Sequence, residues 1–151
     1  YMFLHADFFH LLSNMLFLWV FGDNVEDALG HIKYLVFYLL CGALAGLAHL
    51  FFYPDSYGPL IGASGAVAGV MGAYLVLYPK VRVFVLNKII VMFPIALPAW
   101  VVLSIWVVAQ FFYVIIGSED GVAWWAHIGG VAAGAALVFL FRRRAEWPSM
   151  R

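Results

Sequence analysis

Long apolar runs divided by short polar breaks leave this chain few choices of fold. Five runs stand out between breaks made by charge, glycine, proline and asparagine, at roughly 8–22, 31–53, 61–78, 89–117 and 123–141. Runs of about 17–25 apolar residues match the hydrocarbon thickness of a bilayer when helical. With 66% hydrophobic residues, 11% charged and a mean hydropathy of +0.99, the chain is far more apolar than soluble domains, which average about half apolar and a quarter charged. The reading is an all-α polytopic membrane protein with five transmembrane helices, forming one transmembrane domain over residues 1–151. The first run is expected to continue through Asp23-Asn24-Val25-Glu26-Asp27 with its polar end in water. The fourth carries Pro94 and Pro98; its helix is expected to start near Pro98, because proline is accommodated in a first turn.

Charge sorts the loops. Lys33 lies between the first two runs, Lys80, Arg82 and Lys88 between the third and fourth, and Arg142, Arg143, Arg144 and Arg151 after the fifth. All eight basic residues fall on one side, while the opposite loops hold the acids Asp7, Asp55, Glu119 and Asp120. Cytoplasmic loops are enriched in Lys and Arg, so the odd-numbered helices run inward and the C-terminus is expected to be cytoplasmic, in a prokaryotic cytoplasmic membrane. Tyr1 is not a methionine and no basic leader follows it, so no signal peptide is read and an N-terminal portion is expected to precede it. A net charge of zero gives no electrostatic case for nucleic acid. The lone Cys41 supports neither a disulfide framework nor a cysteine-based zinc site.

Among the polar residues inside the apolar runs, four stand out as able to meet: His10, Asn14, Ser64 and His127. Ser64 precedes Pro79 by 15 residues, His127 precedes Arg142 by 15, and His10 precedes Asp23 by 13. At about 1.5 Å per residue, each lies roughly 20–22 Å above the inner end of its helix, so three parallel helices present them at one level. Asn14 follows His10 by four residues, on the same face and one turn deeper. Small residues at Gly65, Gly69 and Gly72, and at Gly130 and Gly134 on the face bearing His127, let helix backbones approach closely. A serine has a short reach and needs that closeness to meet a histidine.

Serine becomes a nucleophile when a neighbouring base takes its proton, and histidine is the usual base. A Ser64/His127 dyad follows, with His10, the Asn14 amide and the Ser64 backbone N–H typed to stabilise an oxyanion. Taken singly, each has a plainer reading: Ser64 as a small packing residue, Asn14 as interhelical glue, Trp124 and Trp125 as an interfacial belt. The coincidence of level, helix direction and glycine seams favours the site. A three-histidine zinc set from His5, His10 and His127 is the weaker reading, because no H-E-x-x-H and no intramembrane carboxylate accompany it. No metal and no cofactor are expected.

The segments His5-Ala6-Asp7-Phe8-Phe9-His10-Leu11-Leu12-Ser13-Asn14, Gly62-Ala63-Ser64-Gly65 and Ala126-His127-Ile128-Gly129-Gly130, followed by Gly134, resemble the motifs of rhomboid intramembrane serine proteases. The resemblance spreads over nearly the whole chain. It implies a rhomboid-like helix bundle that cleaves peptide bonds in or near transmembrane segments of other membrane proteins. Ser64 and His127 would be the dyad, His10 and Asn14 would line the oxyanion hole, and the partners would be transmembrane substrates and the lipid bilayer. Tyr1 falls where the family's second helix begins, so a first helix and an outer loop with a Trp-Arg motif are expected before it. Some members stack an aromatic residue, one turn after the serine, on the histidine; Ala68 stands there in this chain. The alternative is a non-proteolytic rhomboid-like protein that binds transmembrane clients. Relatives of that kind lack the serine or the histidine, and this chain keeps both.

Overall fold

The fold, a computed structural model, describes residues 1–55, 58–85, 94–118 and 121–143. Five helices occur in these segments: α1 (Phe8–Leu29), α2 (His31–Phe52), α3 (Ser64–Leu77), α4 (Ala99–Ile115) and α5 (Trp124–Phe141). Two of them, α2 and α5, are long and apolar enough to cross a membrane by length and composition. The charges at Lys88, Glu119, Asp120, Arg144 and Arg151 fall outside the described residues.

The expectation of an all-α chain needs one correction. Strands β1 (Arg82–Val85) and β2 (Ile95–Pro98) pair antiparallel, with Arg82 opposite Pro98 and Val85 opposite Ile95. Short apolar runs read equally as strand or helix, and Pro94 and Pro98 suit the ends of a strand better than a helix interior. The part of the fourth run at 89–93 lies outside the described residues. Pro98 does mark the start of α4, as expected. The Ala99 and Trp100 amides, which have no acceptor inside the helix, donate to the carbonyls of Val81 and Pro79 at 2.8 and 2.9 Å.

A single residue, Gly30, joins α1 to α2 at φ +85°, a conformation that favours glycine. The Arg143 guanidinium lies against the space a Gly30 side chain would fill, and the Arg143 amide donates to the Ala28 carbonyl at 3.1 Å. The segment after α5 thus fastens the α1–α2 corner.

The centre of the bundle is α3, buried along nearly its whole length. Its glycine stripe meets that of α5. A Cβ on Gly130 would collide with the Gly65 carbonyl, one on Gly134 with the Gly69 carbonyl, and one on Gly72 with the Val131 carbonyl. Beside that seam, Cys41 of α2 fills the notch at Gly69, 2.5 Å from where a Cβ would stand, with the Gly130 carbonyl oxygen at 3.3 Å. Phe21, Val25, Phe37, Val70, Leu103 and Val138 close the core toward the basic end.

Candidate active site

Close approach of α3 and α5 decides what Ser64 can reach. Ser64 is the first residue of α3 and His127 sits in the first turn of α5. The Ser64 hydroxyl lies 2.8 Å from His127 Nε2. The other ring nitrogen, Nδ1, is 2.8 Å from Gln110 Oε1 on α4. The Gln110 amide nitrogen donates to the Trp106 carbonyl at 3.0 Å. His127 and Gln110 are buried, at 8% and 4% exposure. The rings of Trp106 and Trp124 flank the imidazole at centroid distances of 5.7 and 5.9 Å.

His10 enters from α1. Asp7 caps that helix, its carboxylate accepting the His10 amide at 2.8 Å, which fixes His10 in the first turn. His10 Nδ1 accepts the Ala6 amide at 3.3 Å, so Nε2 carries the proton. A Cβ on Gly62 would stand 2.7 Å from His10 Nε2 and 3.8 Å from the Ser64 hydroxyl oxygen, and Gly62 has φ +108°. The imidazole and the serine therefore flank a notch kept open by a glycine. Asn14 is buried, and its amide nitrogen donates to the His10 carbonyl at 2.9 Å, leaving one N–H of that group for another acceptor. The Ser64 N–H belongs to the first turn of α3, where amides lack intrahelical acceptors and the helix dipole favours negative charge.

These groups line an open cavity of about 1110 Å³ whose wall includes His10, Asn14, Ser64, Trp106 and His127. All four residues singled out from the sequence therefore face one space. His5 meets His10 edge to face at 5.1 Å; among the described residues no three His, Cys, Asp or Glu side chains converge. Gln110, the side chain at His127 Nδ1, is not among the residues singled out from the sequence. It is a polar side chain within an apolar run, the same signal that marks Asn14. Ala68 is fully buried and would lie 3.2 Å from a Cβ on Gly130; the aromatic rings near the imidazole are instead those of Trp106, tilted by 34°, and Trp124, edge to face. Near the C-terminal end of α4, Tyr113 stacks on Trp124 at 4.4 Å.

Fold and site together define a mostly helical bundle whose cavity presents a hydrogen-bonded serine and histidine. The Rhomboid domain family model matches residues 1–144. The chain belongs to the rhomboid family, polytopic membrane proteins that are generally serine intramembrane proteases. It is 36% identical over 104 residues to Rhomboid protein 1, mitochondrial, of Saccharomyces cerevisiae, covering 66% of this chain and 28% of that protein. It is 30% identical over 86 residues to the human Presenilin-associated rhomboid-like protein, mitochondrial, covering 56% of this chain and 23% of that one. RHOMBOID-like protein 1 of Arabidopsis thaliana is 30% identical over 144 residues, covering 95% of this chain and 34% of that one. The chain thus spans about a quarter to a third of the length of these relatives. Two of the three are mitochondrial proteins of eukaryotes. This overturns the expectation of a prokaryotic cytoplasmic membrane, and with it the assignment of the C-terminus to a cytoplasm. Apolar runs and sided charges are demanded by any bilayer and do not identify the organelle.

Proposed function

We propose that this chain is the core of an intramembrane serine endopeptidase that cuts peptide bonds in or near transmembrane segments of other proteins. In this reading residues 1–151 form one transmembrane domain, its five helices cross a mitochondrial membrane, and its partners are transmembrane substrates and the surrounding lipid. The observation that carries it is the 2.8 Å contact of the Ser64 hydroxyl with His127 Nε2 on the wall of an open cavity. Helix α3 has 14 residues, about 21 Å at helical rise, so a serine at its outer end sits below the surface of a core about 30 Å thick. Water reaches it through the cavity.

The chemistry follows from the atoms. Ser64 Oγ forms a bond to the substrate carbonyl carbon while its proton passes to His127 Nε2. The oxyanion is met by the Ser64 N–H, His10 Nε2–H and the remaining Asn14 N–H. The C–N bond then breaks and the leaving amine takes the proton from Nε2. A water molecule attacks the acyl-enzyme, gives its proton to the same nitrogen, and releases the new carboxyl group with Ser64 restored.

The test is labelling by a fluorophosphonate of the protein in phospholipid vesicles, where Ser64 Oγ would displace fluoride from phosphorus. Labelling is expected in the wild type and lost in Ser64→Ala and His127→Ala. A Ser64→Ala protein that still takes up the probe, or a wild type that never does, refutes the reading.

A further inference from the structure

A neutral imidazole has one N–H, and a base that takes a serine proton must offer a bare nitrogen on the serine side. The contacts of Trp106 and Trp124 with the imidazole are ring against ring, tilted and edge to face, and ring packing does not by itself choose which nitrogen carries the proton. The group at Nδ1 is Gln110, which comes from a third helix, α4.

We infer that Gln110 is the positioning residue of this site, holding the Nδ1 proton of His127 so that Nε2 is the nitrogen that accepts the proton of Ser64. The polarity of the whole chain of hydrogen bonds is set at its far end. The Trp106 carbonyl can only accept, so it takes the NH2 end of the Gln110 amide. That turns Oε1 toward Nδ1, and an oxygen at 2.8 Å from a ring nitrogen requires a proton between them. Nδ1 carries the hydrogen, Nε2 is bare, and the Ser64 hydroxyl donates to it. A flipped amide would set Oε1 against the Trp106 carbonyl oxygen and leave two acceptors facing each other. Gln110 does this without charge. A carboxylate in the same buried place would carry a desolvation cost that the amide avoids.

The inference rests on the protease reading for its catalytic consequence, but the tautomer can be read without any turnover. The first measurement is the long-range 15N–1H spectrum of histidine-labelled protein in detergent, with His127 assigned by its loss in His127→Ala. In the wild type it should show Nδ1 protonated and Nε2 bare; in Gln110→Met, of similar shape without a strong acceptor, a mixture of tautomers. Labelling by the fluorophosphonate should slow about 10- to 100-fold in Gln110→Met, part of the roughly 10²–10⁴ a general base supplies. With a cleavable transmembrane peptide the loss should fall on kcat, with KM within about twofold. If Gln110→Met does not fold, Gln110→Glu decides: it keeps an acceptor at Nδ1 and should keep the single tautomer and most of the labelling. A single unchanged tautomer and wild-type labelling in Gln110→Met, or mixed tautomers in a folded Gln110→Glu, overturns the assignment. A wild type that shows the expected tautomer yet never labels refutes the protease reading and leaves the Gln110 hydrogen bond standing.

Discussion

Replacing Gly130 by alanine tests whether the glycine seam sets the serine–histidine distance. The new Cβ would lie well inside 3.0 Å of the Gly65 carbonyl oxygen, with Gly65 C at 3.1 Å and Ala68 Cβ at 3.2 Å behind it. Its principal obstacle is backbone, which cannot rotate aside as a side chain can. To restore ordinary contact, α5 must retreat from α3 by roughly 1 Å at this level. Gly130 is one turn from His127 and Gly65 adjoins Ser64, so the retreat falls on the reacting pair. The 2.8 Å hydrogen bond would open to nearly 4 Å, beyond hydrogen-bond reach. Misplacement by about 1 Å can cost about 10²-fold in rate, and overpacking about 1–3 kcal/mol in stability. The assay is the second-order rate of fluorophosphonate labelling in vesicles, with circular dichroism to show the helices intact. Gly129→Ala is the control for direction: its Cβ would strike the Ala48 Cβ on α2, so it overpacks the α2–α5 contact without pressing α5 away from α3, and labelling should fall far less than in Gly130→Ala. If a folded Gly130→Ala protein labels as fast as wild type, or if Gly129→Ala loses as much, the seam does not set the site.

Gly62→Ala should be costly twice: an alanine at φ +108° is strained by about 1–3 kcal/mol, and its Cβ displaces His10 Nε2, so labelling should fall about 10²-fold, as when an oxyanion donor is lost. Unchanged labelling would remove His10 from the oxyanion hole. Ala68→Tyr, which installs the aromatic found in some rhomboids, should lower the thermal midpoint, because Ala68 has no free surface and faces Gly130; a stabilised variant would mean that the tyrosine finds room. If a transmembrane substrate enters the cavity beside α4, between it and α1, tethering cysteines at the cavity ends of α1 and α4 should block its cleavage while leaving a small fluorophosphonate free to react. Undiminished cleavage would place substrate entry elsewhere.

Helix positions are legible in this sequence because apolar runs in a membrane-type chain carry their own boundaries: α2 and α5 fall within one residue of the expected spans. The meeting of His10, Asn14, Ser64 and His127 in one cavity is legible for a related reason, since polar side chains at equal depth in small-residue seams have few places to go. The pairing of β1 with β2 is not, because Val83, Phe84, Val85 and Ile95 satisfy a buried helix as well as a strand. Gln110 was readable in type but not in direction. Its partner depends on how α4 is rotated against α5, which periodicity leaves open when nearly every neighbour is apolar. The tryptophans around His127 escape notice likewise, because Trp124 at a helix start reads first as an interfacial anchor.

The order of the parts along the chain has a consequence for biosynthesis. Ser64 is made early, while its hydrogen-bond partner His127 and the α5 half of the glycine seam, Gly130 and Gly134, arrive 63 or more residues later. The Arg143 segment that fastens the first corner of the bundle comes later still. If the chain is the protease proposed above, a nascent chain that has made α1 to α4 but not α5 holds a serine with no base, and should be inert toward other polypeptides. Competence begins only when the final helix docks, so a chain ending before Trp124 should remain unlabelled by the fluorophosphonate however long it is incubated.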